Sequence, residues 1–313
     1  MPGKLVVCLM GPTASGKTEI ALRLADVFSV DLVSVDSALV YRGMNIGTAK
    51  PDAETLHRYP HALVDIRDPE EAYSAGEFVR DARLQIDAIH ARERIPLLVG
   101  GTMLYFRSLI GGIATLPGAD AAVRAAIDEE ALCHGWPALH RQLATIDPLA
   151  AARINENDSQ RIQRALEVFR RSGRPLTEWQ SANAAADGYS YVKLALIPEP
   201  RAALHARIGK RLERMLEAGF IEEVKALRRR PGLSAEHPSM RAVGYRQFWQ
   251  FLEGRRDLGE ARLRALAATR QLAKRQLTWL RSEGRLFAVN PLEVDAFAAI
   301  SSHLQQRLEV DKN

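Results

Sequence analysis

The chain has 313 residues, 47% of them hydrophobic and 26% charged, and a formal net charge of +5 at pH 7. This composition is typical of a globular protein with a sizeable core, in two domains or in one large domain with an insertion. It excludes a membrane-spanning protein, because no segment approaches ~20 consecutive apolar residues, and two cysteines are too few for a disulfide framework or a cysteine-rich zinc site.

The first predicted element is a short buried strand over residues 5–10, which are all apolar and follow a single basic residue, Lys4. This apolar segment is too short for a secretory signal peptide. We therefore expect a cytoplasmic protein that does not associate with membranes.

A glycine-bearing motif, Gly11-Pro-Thr-Ala-Ser-Gly-Lys-Thr18, separates this strand from a predicted helix over residues 19–28. The pattern and its setting are those of a P-loop, whose backbone N–H groups converge on a phosphate at the helix start. Lys17 is expected to contact phosphate oxygens, and Thr18 to hold a Mg²⁺ ion. The motif leaves open whether the phosphates belong to ATP or to another diphosphate. The predicted phosphate-binding residues are Gly11, Thr13, Ala14, Ser15, Gly16, Lys17 and Thr18.

Strand-like and helix-like segments then alternate through the first half of the chain. Strands are predicted at 31–36, 62–66 and 95–99, and a helix at 74–92 starts with a capping box formed by Ser74 and Glu77. The fold class is therefore predicted to be α/β, with a P-loop and a doubly wound parallel sheet.

Two polar side chains, Asp36 and Thr102, follow predicted strands at the edge where ligands of such sheets bind. Asp36 is either a helix N-cap or a proton acceptor for a nucleophile directed at the P-loop ligand. Thr102 follows Gly100 and Gly101, and its local pattern also fits the cap of the next helix.

After Gly112 the pattern becomes helical, with one more strand predicted at 191–197, helices at 201–229 and 260–281, and a short strand at 286–289. We therefore predict a core over 1–119, an inserted helical domain over 120–190, and a return to the core with a basic helical region over 191–313. The apolar face of the last long helix is predicted to comprise Leu263, Leu266, Ala273, Leu277 and Leu280.

Positive charge is concentrated near the carboxyl end. Residues 201–285 carry 20 Lys or Arg and 9 Asp or Glu, a net charge of +11, while the rest of the chain carries −6. Helical spacing aligns Arg270 with Lys274 and Arg281, and aligns Gln160 with Arg164 in the insertion. Such stripes bind a nucleic-acid backbone, or are ordinary solvated helix faces.

These motifs, in this order, closely resemble the tRNA dimethylallyltransferase family from residue 5 to about residue 285. The remaining segments that carry the resemblance are Tyr41-Arg-Gly-Met44, Ile46-Gly-Thr-Ala-Lys-Pro51, Gln160-Arg161, Arg241-Ala-Val-Gly-Tyr245 and Thr269-Arg-Gln-Leu-Ala-Lys-Arg-Gln276. The chain departs from some relatives at Leu39, where they carry Gln, and at Asn45, where they often carry Asp.

The resemblance implies that the P-loop holds dimethylallyl diphosphate and that the acceptor is the exocyclic amine of an adenosine beside the anticodon, flipped out of its stack. Asp36 then acts as the base and Thr102 supports the leaving oxygen. Lys17, Arg211 and Mg²⁺ at Thr18 neutralise the diphosphate. The protein is expected to be a monomer that binds the anticodon stem-loop. The implied tRNA-binding residues are Asp36, Ser37, Ala38, Leu39, Arg124, Gln160, Arg161, Ile162, Gln163, Arg164, Arg241, Gly244, Tyr245, Arg246, Arg270, Lys274, Arg275 and Arg281.

Two other functions share parts of this pattern. One is prenyl transfer to free AMP or ATP, against which the basic stripes and the helical insertion argue. The other is a nucleic-acid-binding NTPase or nucleotide kinase, which would require ATP turnover.

Overall fold

The computed structural model describes residues 4–112, 116–181 and 188–310. The chain forms two compact units, one from Met1–Ile110 with Gly188–Asn313 and the other from Gly111–Asp187. The second unit occupies the part of the chain where the sequence predicts an inserted helical domain at 120–190.

The described part of the first unit contains a parallel sheet of six strands. The strands are β1 (Lys4–Met10), β2 (Val30–Val35), β3 (His61–Ala62), β4 (Ile95–Gly100), β5 (Tyr189–Leu196) and β6 (Leu286–Val289). Their order is β3-β2-β4-β1-β5-β6, so β5 returns to the sheet beside β1 after the insertion. The predicted α/β fold with a parallel sheet is confirmed.

One predicted strand is wrong in its extent. The sequence predicts a strand over 62–66, whereas β3 ends at Ala62. The cause is the backbone of the following residues, because Leu63 and Asp65 have φ angles of 65° and 54°, in the left-handed region that extended strands do not use. Leu63 is 5% exposed, so its apolar character reflects burial in a turn.

Helices connect and cover the strands. They are α1 (Lys17–Val27), α2 (Ala53–Arg58), α3 (Ala75–His90), α4 (Met103–Ile110), α5 (Ala121–His134), α6 (Trp136–Ile146), α7 (Pro148–Ala151), α8 (Ser159–Ser172), α9 (Leu176–Ser181), α10 (Arg201–Glu217), α11 (Phe220–Arg228), α12 (Tyr245–Leu252), α13 (Leu258–Ser282) and α14 (Ala296–Val310), with a 3₁₀ turn at Ser239–Arg241. The predicted capping box of Ser74 and Glu77 starts α3. Among the residues described, no helix is long and apolar enough to span a membrane.

The core of the first unit joins the sheet to its first and last helices. Leu9 of β1, Leu24 of α1, and Ile300 and Leu304 of α14 are fully buried in one apolar cluster. Burying each such side chain contributes about 1.5–3 kcal/mol. The carboxyl-terminal helix, which carries no recognisable motif, therefore stabilises the sheet beneath the P-loop.

The apolar face of α13 differs from the prediction at one position. Ala265, Ala273, Leu277 and Leu280 are buried, but Leu263 is 68% exposed. Leu263 precedes Ala265 by two residues, which turns it about 200° around the helix and away from the core.

The second unit, taken by itself, consists in its described part of α5 to α9 around a small apolar cluster. Ile127, Leu139, Leu143, Ile162 and Leu166 are its most buried large side chains. Together they give this helical unit its own core.

Candidate active site

Three neighbouring strands bring the predicted site residues to one edge of the sheet. β4 lies between β2 and β1, and Gly100 is paired with both Val35 and Met10. The next residue of each strand therefore lies at the same carboxyl edge. The structure brings together the P-loop after β1, Asp36 after β2, and Thr102 close behind β4.

The P-loop has the backbone that its sequence predicts. Gly16 has a φ of 98°, which favours glycine, and it leads directly into α1. The Lys17 ammonium donates to the carbonyl oxygens of Gly11 at 2.9 Å and Pro12 at 2.7 Å. Thr18 is exposed, and its hydroxyl makes no hydrogen bond with another described residue.

Two cations and one carboxylate face each other beside this loop. Burial lowers the pKa of Lys17 to about 7; the positive charge of Arg211 also lowers it, while Asp36 opposes the shift. Burial likewise holds the pKa of Arg211 below its usual range, again opposed by Asp36. The Arg211 guanidinium donates to the Thr48 carbonyl at 2.9 Å. Two positive groups against one negative group favour an anionic ligand.

Asp36 fills the capping role that its sequence position allowed, with one of its two carboxylate oxygens. Its Oδ1 accepts hydrogen bonds from the backbone N–H groups of Ala38 at 2.8 Å and Leu39 at 3.3 Å, and so caps the turn after β2. Its Oδ2 has no hydrogen-bond partner within the described ranges. One oxygen is thus committed to the backbone, and the other is available to a proton donor.

Thr102 supports that same turn. Its Oγ1 accepts a hydrogen bond from the backbone N–H of Ser37 at 3.0 Å. Its carbonyl accepts from Tyr105 as α4 begins. The side chain therefore links the ends of β2 and β4, and any contact it makes with a leaving oxygen remains a prediction.

A cavity of about 530 Å³ borders Arg211. Ile46, Leu56 and Met215 contribute apolar wall, and Arg214 adds a second guanidinium. The first unit therefore has an open cavity in which apolar surface adjoins positive charge.

The outer face of α13 is a cationic groove. Arg270, Lys274 and Arg275 are exposed and form no ion pair within the described ranges. Lys274, Arg275 and Trp279 line a groove of about 320 Å³ together with Gln271 and Thr278. The guanidinium of Arg107 lies 5.1 Å from the centre of the Trp279 ring. Cations beside an aromatic ring suit a nucleic-acid strand.

The other predicted cations of the first unit differ in whether a carboxylate compensates their charge. Arg241 and Arg246 are exposed, and the described residues offer them no ion-pair partner. Arg281 lies 3.6 Å from a carboxylate oxygen of Glu199, so its charge is partly compensated.

Three of the predicted RNA contacts, Ile162, Gly244 and Tyr245, are buried in this structure, so the side chains of Ile162 and Tyr245 are not presented at its surface. Ile162 belongs to the core of the second unit. The Tyr245 hydroxyl donates to Glu223 at 2.6 Å.

Glu223 in turn fixes a loop of the first unit. Besides the Tyr245 hydroxyl, its carboxylate accepts hydrogen bonds from the consecutive backbone N–H groups of Asn45, Ile46 and Gly47 at 2.7–3.1 Å. Tyr245 and Glu223 therefore hold the segment that precedes Thr48.

The predicted basic residues of the second unit are largely paired. Arg124 and Arg164 bind the buried carboxylate of Glu167 at 2.8 and 2.6 Å. Burial acts to raise the pKa of Glu167, but hydrogen bonds from Arg124, Asp120 and Arg164 outweigh it and lower the pKa. These two arginines thus stabilise the unit itself.

The remaining residues of that predicted surface include two exposed side chains and one half-buried one. Arg161 is exposed and lies 3.0 Å from Asp158, and Gln163 donates to Asp128 at 2.7 Å. Gln160 is exposed, with no partner in the described part of the chain.

Sequence reasoning missed two side chains beside the P-loop. Arg207 lies one helical turn before Arg211 on α10, and a Cβ placed on Gly16 would lie 3.7 Å from its Nη2. The spacing of four between these arginines could have indicated it. Gln276 is 8% exposed and reaches Thr13 from α13. Because its Oε1 accepts the Thr13 N–H at 2.9 Å, that N–H is not available to the predicted phosphate.

The chain matches known proteins over most of its length. The family model described as IPP transferase matches residues 39–283. The tRNA dimethylallyltransferase of Thiobacillus denitrificans is 55% identical over 302 residues, which cover 95% of this chain and 96% of that protein. The crystal structure of full-length tRNA isopentenylpyrophosphate transferase from Bacillus halodurans is 35% identical, with a TM-score of 0.71 over 99% of this chain and 100% of that one.

A more distant structure has the same fold. A eukaryotic dimethylallyltransferase, described as acting on tRNA, is 26% identical, with a TM-score of 0.77 over 92% of this chain and 74% of that one. Sequence and structure therefore agree, and the chain belongs to the IPP transferase family.

Proposed function

We propose that this chain transfers a dimethylallyl group from dimethylallyl diphosphate to the exocyclic N6 amine of the adenosine beside the anticodon in tRNA, and releases diphosphate. The observation that carries this proposal is the position of Lys17 and Arg211 around Asp36, at the sheet edge that also holds Thr102. The names of the relatives support tRNA as the acceptor.

The diphosphate end of the donor meets the positive groups. Negative charge builds on the bridging oxygen as its bond to the allylic carbon breaks, and fixed cations stabilise it there. Lys17 and Arg211 supply this charge, and Arg207 lies close enough to assist. The backbone N–H groups at the start of α1 complete the cradle.

Thr18 fits the role of a Mg²⁺ ligand. Its hydroxyl is exposed at the start of α1 and is not used by other described residues. Mg²⁺ binds proteins through few oxygen ligands together with substrate phosphates. When bound, the ion would neutralise part of the diphosphate charge.

Asp36 serves the acceptor. An exocyclic amine is a weak nucleophile, so holding it in line with the allylic carbon contributes most of the acceleration. As the N6–carbon bond forms and the carbon–oxygen bond breaks, the amine loses a proton, which Asp36 accepts through Oδ2. The adenine must leave its stack to reach this edge.

A transfer assay tests the proposal. The purified protein with dimethylallyl diphosphate, Mg²⁺ and an anticodon stem-loop should yield a prenylated adenosine. AMP added as a competitor should not replace the RNA as acceptor. Modification of AMP in preference to RNA, or turnover of ATP without transfer, would overturn the proposed substrate.

Donor binding is expected to take up a proton near pH 7. Free Lys17 has a pKa of about 7, and a bound anion favours its charged form and raises that pKa. Affinity should be highest below pH 7 and fall as the pH rises above it, where the donor's phosphate, with a pKa near 6, stays ionised. Calorimetry in buffers of different ionisation enthalpy measures the uptake.

The matched variant for this titration is Lys17→Arg, because a guanidinium stays protonated over the same pH range. It should bind the donor without proton uptake. A wild-type affinity that stays constant above pH 7 would contradict the shifted lysine.

Replacing Arg270 and Lys274 with Ala should weaken binding of the anticodon stem-loop roughly tenfold and reduce the slope of log K against log salt by about 0.7–0.9 for each lost phosphate contact. The reason is that a variant with fewer phosphate contacts releases fewer counterions when the RNA binds. Fluorescence titrations at several salt concentrations give the slope. As a control, Arg262 and Arg264 lie on the same helix but pair with Glu213 and Glu260, so their replacement should leave the slope unchanged. If the Arg270 and Lys274 double variant kept the same slope as this control, the RNA would bind elsewhere.

A further inference from the structure

Gln276 joins two loops of the site that are far apart in the sequence. Its Oε1 accepts the backbone N–H of Thr13 in the P-loop at 2.9 Å, and its Nε2 donates to the carbonyl of Gly101 at 2.7 Å. One buried amide therefore satisfies a donor after β1 and an acceptor after β4. Because the two partners are of opposite kind, only one of the two possible orientations of the Gln276 amide suits both.

The approach is so close that a side chain at position 101 would displace the Gln276 amide. A Cβ on Gly101 would lie 2.5 Å from Nε2 of Gln276 and 3.3 Å from the carbonyl oxygen of Gly11. Both distances are shorter than an unstrained contact. The P-loop and the turn that precedes Thr102 are thus packed against each other, with Gln276 across their junction.

Each loop leads on to a group of the proposed reaction. Thr102 directly follows Gly101 and accepts from Ser37, next to Asp36. Gln276 itself follows Lys274 and Arg275, which face solvent on the same helix. The helix that carries the cationic groove is therefore also the element that contacts both the P-loop and the turn before Thr102.

We propose that Gln276 is a positioning residue, which holds the P-loop in register with the Thr102 turn and so aligns the donor with the acceptor. This rests on the proposed function. A displacement of about 1 Å can cost about 100-fold in rate, so the amide affects the chemical step without touching substrate.

The experiment compares Gln276→Met, which keeps the volume and removes both hydrogen bonds, with Gln276→Glu, which keeps an acceptor for Thr13 and places a carboxylate oxygen against the Gly101 carbonyl. In Gln276→Met, hydrogen exchange of the peptide containing Thr13 should accelerate. The kcat should fall at least tenfold, because a misalignment of about 1 Å between donor and acceptor is enough for such a loss. In Gln276→Glu, that exchange should stay near the wild-type rate while kcat still falls. The Kd for the stem-loop should stay within about twofold in both, because Lys274 and Arg275 remain.

Gln305→Met is the control, since Gln305 is an exposed glutamine on α14, away from the cationic groove; it should change neither exchange nor kcat. Exchange at the P-loop does not depend on catalysis, so it tests Gln276 even if the wild-type protein fails to modify RNA. Unchanged exchange in Gln276→Met would overturn the proposal. So would a loss of kcat that recovers when the temperature is lowered, since that would reflect unfolding.

Discussion

Asp36→Asn is expected to lower kcat by about 10²- to 10⁴-fold, the usual range for losing a general base, while the Kd for dimethylallyl diphosphate changes little. Asn keeps an oxygen that can accept the hydrogen bonds of Ala38 and Leu39, so the turn after β2 should survive. What it lacks is the negative charge beside Lys17 and Arg211 and an oxygen that takes a proton. Single-turnover kinetics with saturating RNA and donor measure the effect.

The matched control is Asp257→Asn. Asp257 accepts the backbone N–H of Glu260 as the N-cap of α13, so the same substitution is made at another capping carboxylate. It should leave kcat unchanged. If Asp36→Asn retains wild-type turnover, Asp36 is only a cap and takes no part in proton transfer.

Arg211→Met is expected to lower kcat/KM for the donor by about 10²- to 10³-fold, as for other groups that stabilise developing charge. The apolar side chain keeps much of the volume of Arg211 but removes the positive charge and the donor to Thr48. It should also raise the pKa of Lys17, because a neighbouring cation lowers it now. The pH at which donor affinity begins to fall should therefore increase.

Arg214→Met provides the comparison on the same helix. Arg214 borders the cavity beside Arg211 but is exposed. The variant should retain the wild-type pH profile and lose less than about twofold in kcat/KM, as is usual for surface substitutions. Equal losses in the two variants would mean that overall positive charge, and not the position of Arg211, governs donor use.

The sequence could predict those parts of the site that depend on local spacing. Gly16 and Lys17 lie in a motif that specifies its own backbone, and Asp36 follows a strand whose burial is visible in its composition. The meeting of Asp36 with Thr102 also follows, since neighbouring parallel strands end at one edge.

Contacts between distant segments could not be predicted in this way. Gln276 bonds to Thr13 across 263 positions, and periodicity alone does not show that it points inward between Arg275 and Leu277. The resemblance placed Tyr245 among the RNA-binding residues but did not show which way its side chain points, and the structure shows the side chain buried. The pairing of Glu167 with Arg124 could not be predicted from local patterns either, because Arg124 belongs to another helix.

Glu223 shows that a residue outside the sequence motifs helps to determine the geometry of the site. It fixes residues 45–47, and the next carbonyl, that of Thr48, receives the Arg211 guanidinium. A substitution of Glu223, near the start of α11, would therefore shift residues 45–47 and the Thr48 carbonyl that follows them. Through that carbonyl it would change the position of the Arg211 guanidinium, which we propose stabilises the leaving group. Searches for variants with altered allylic donor preference should include this junction.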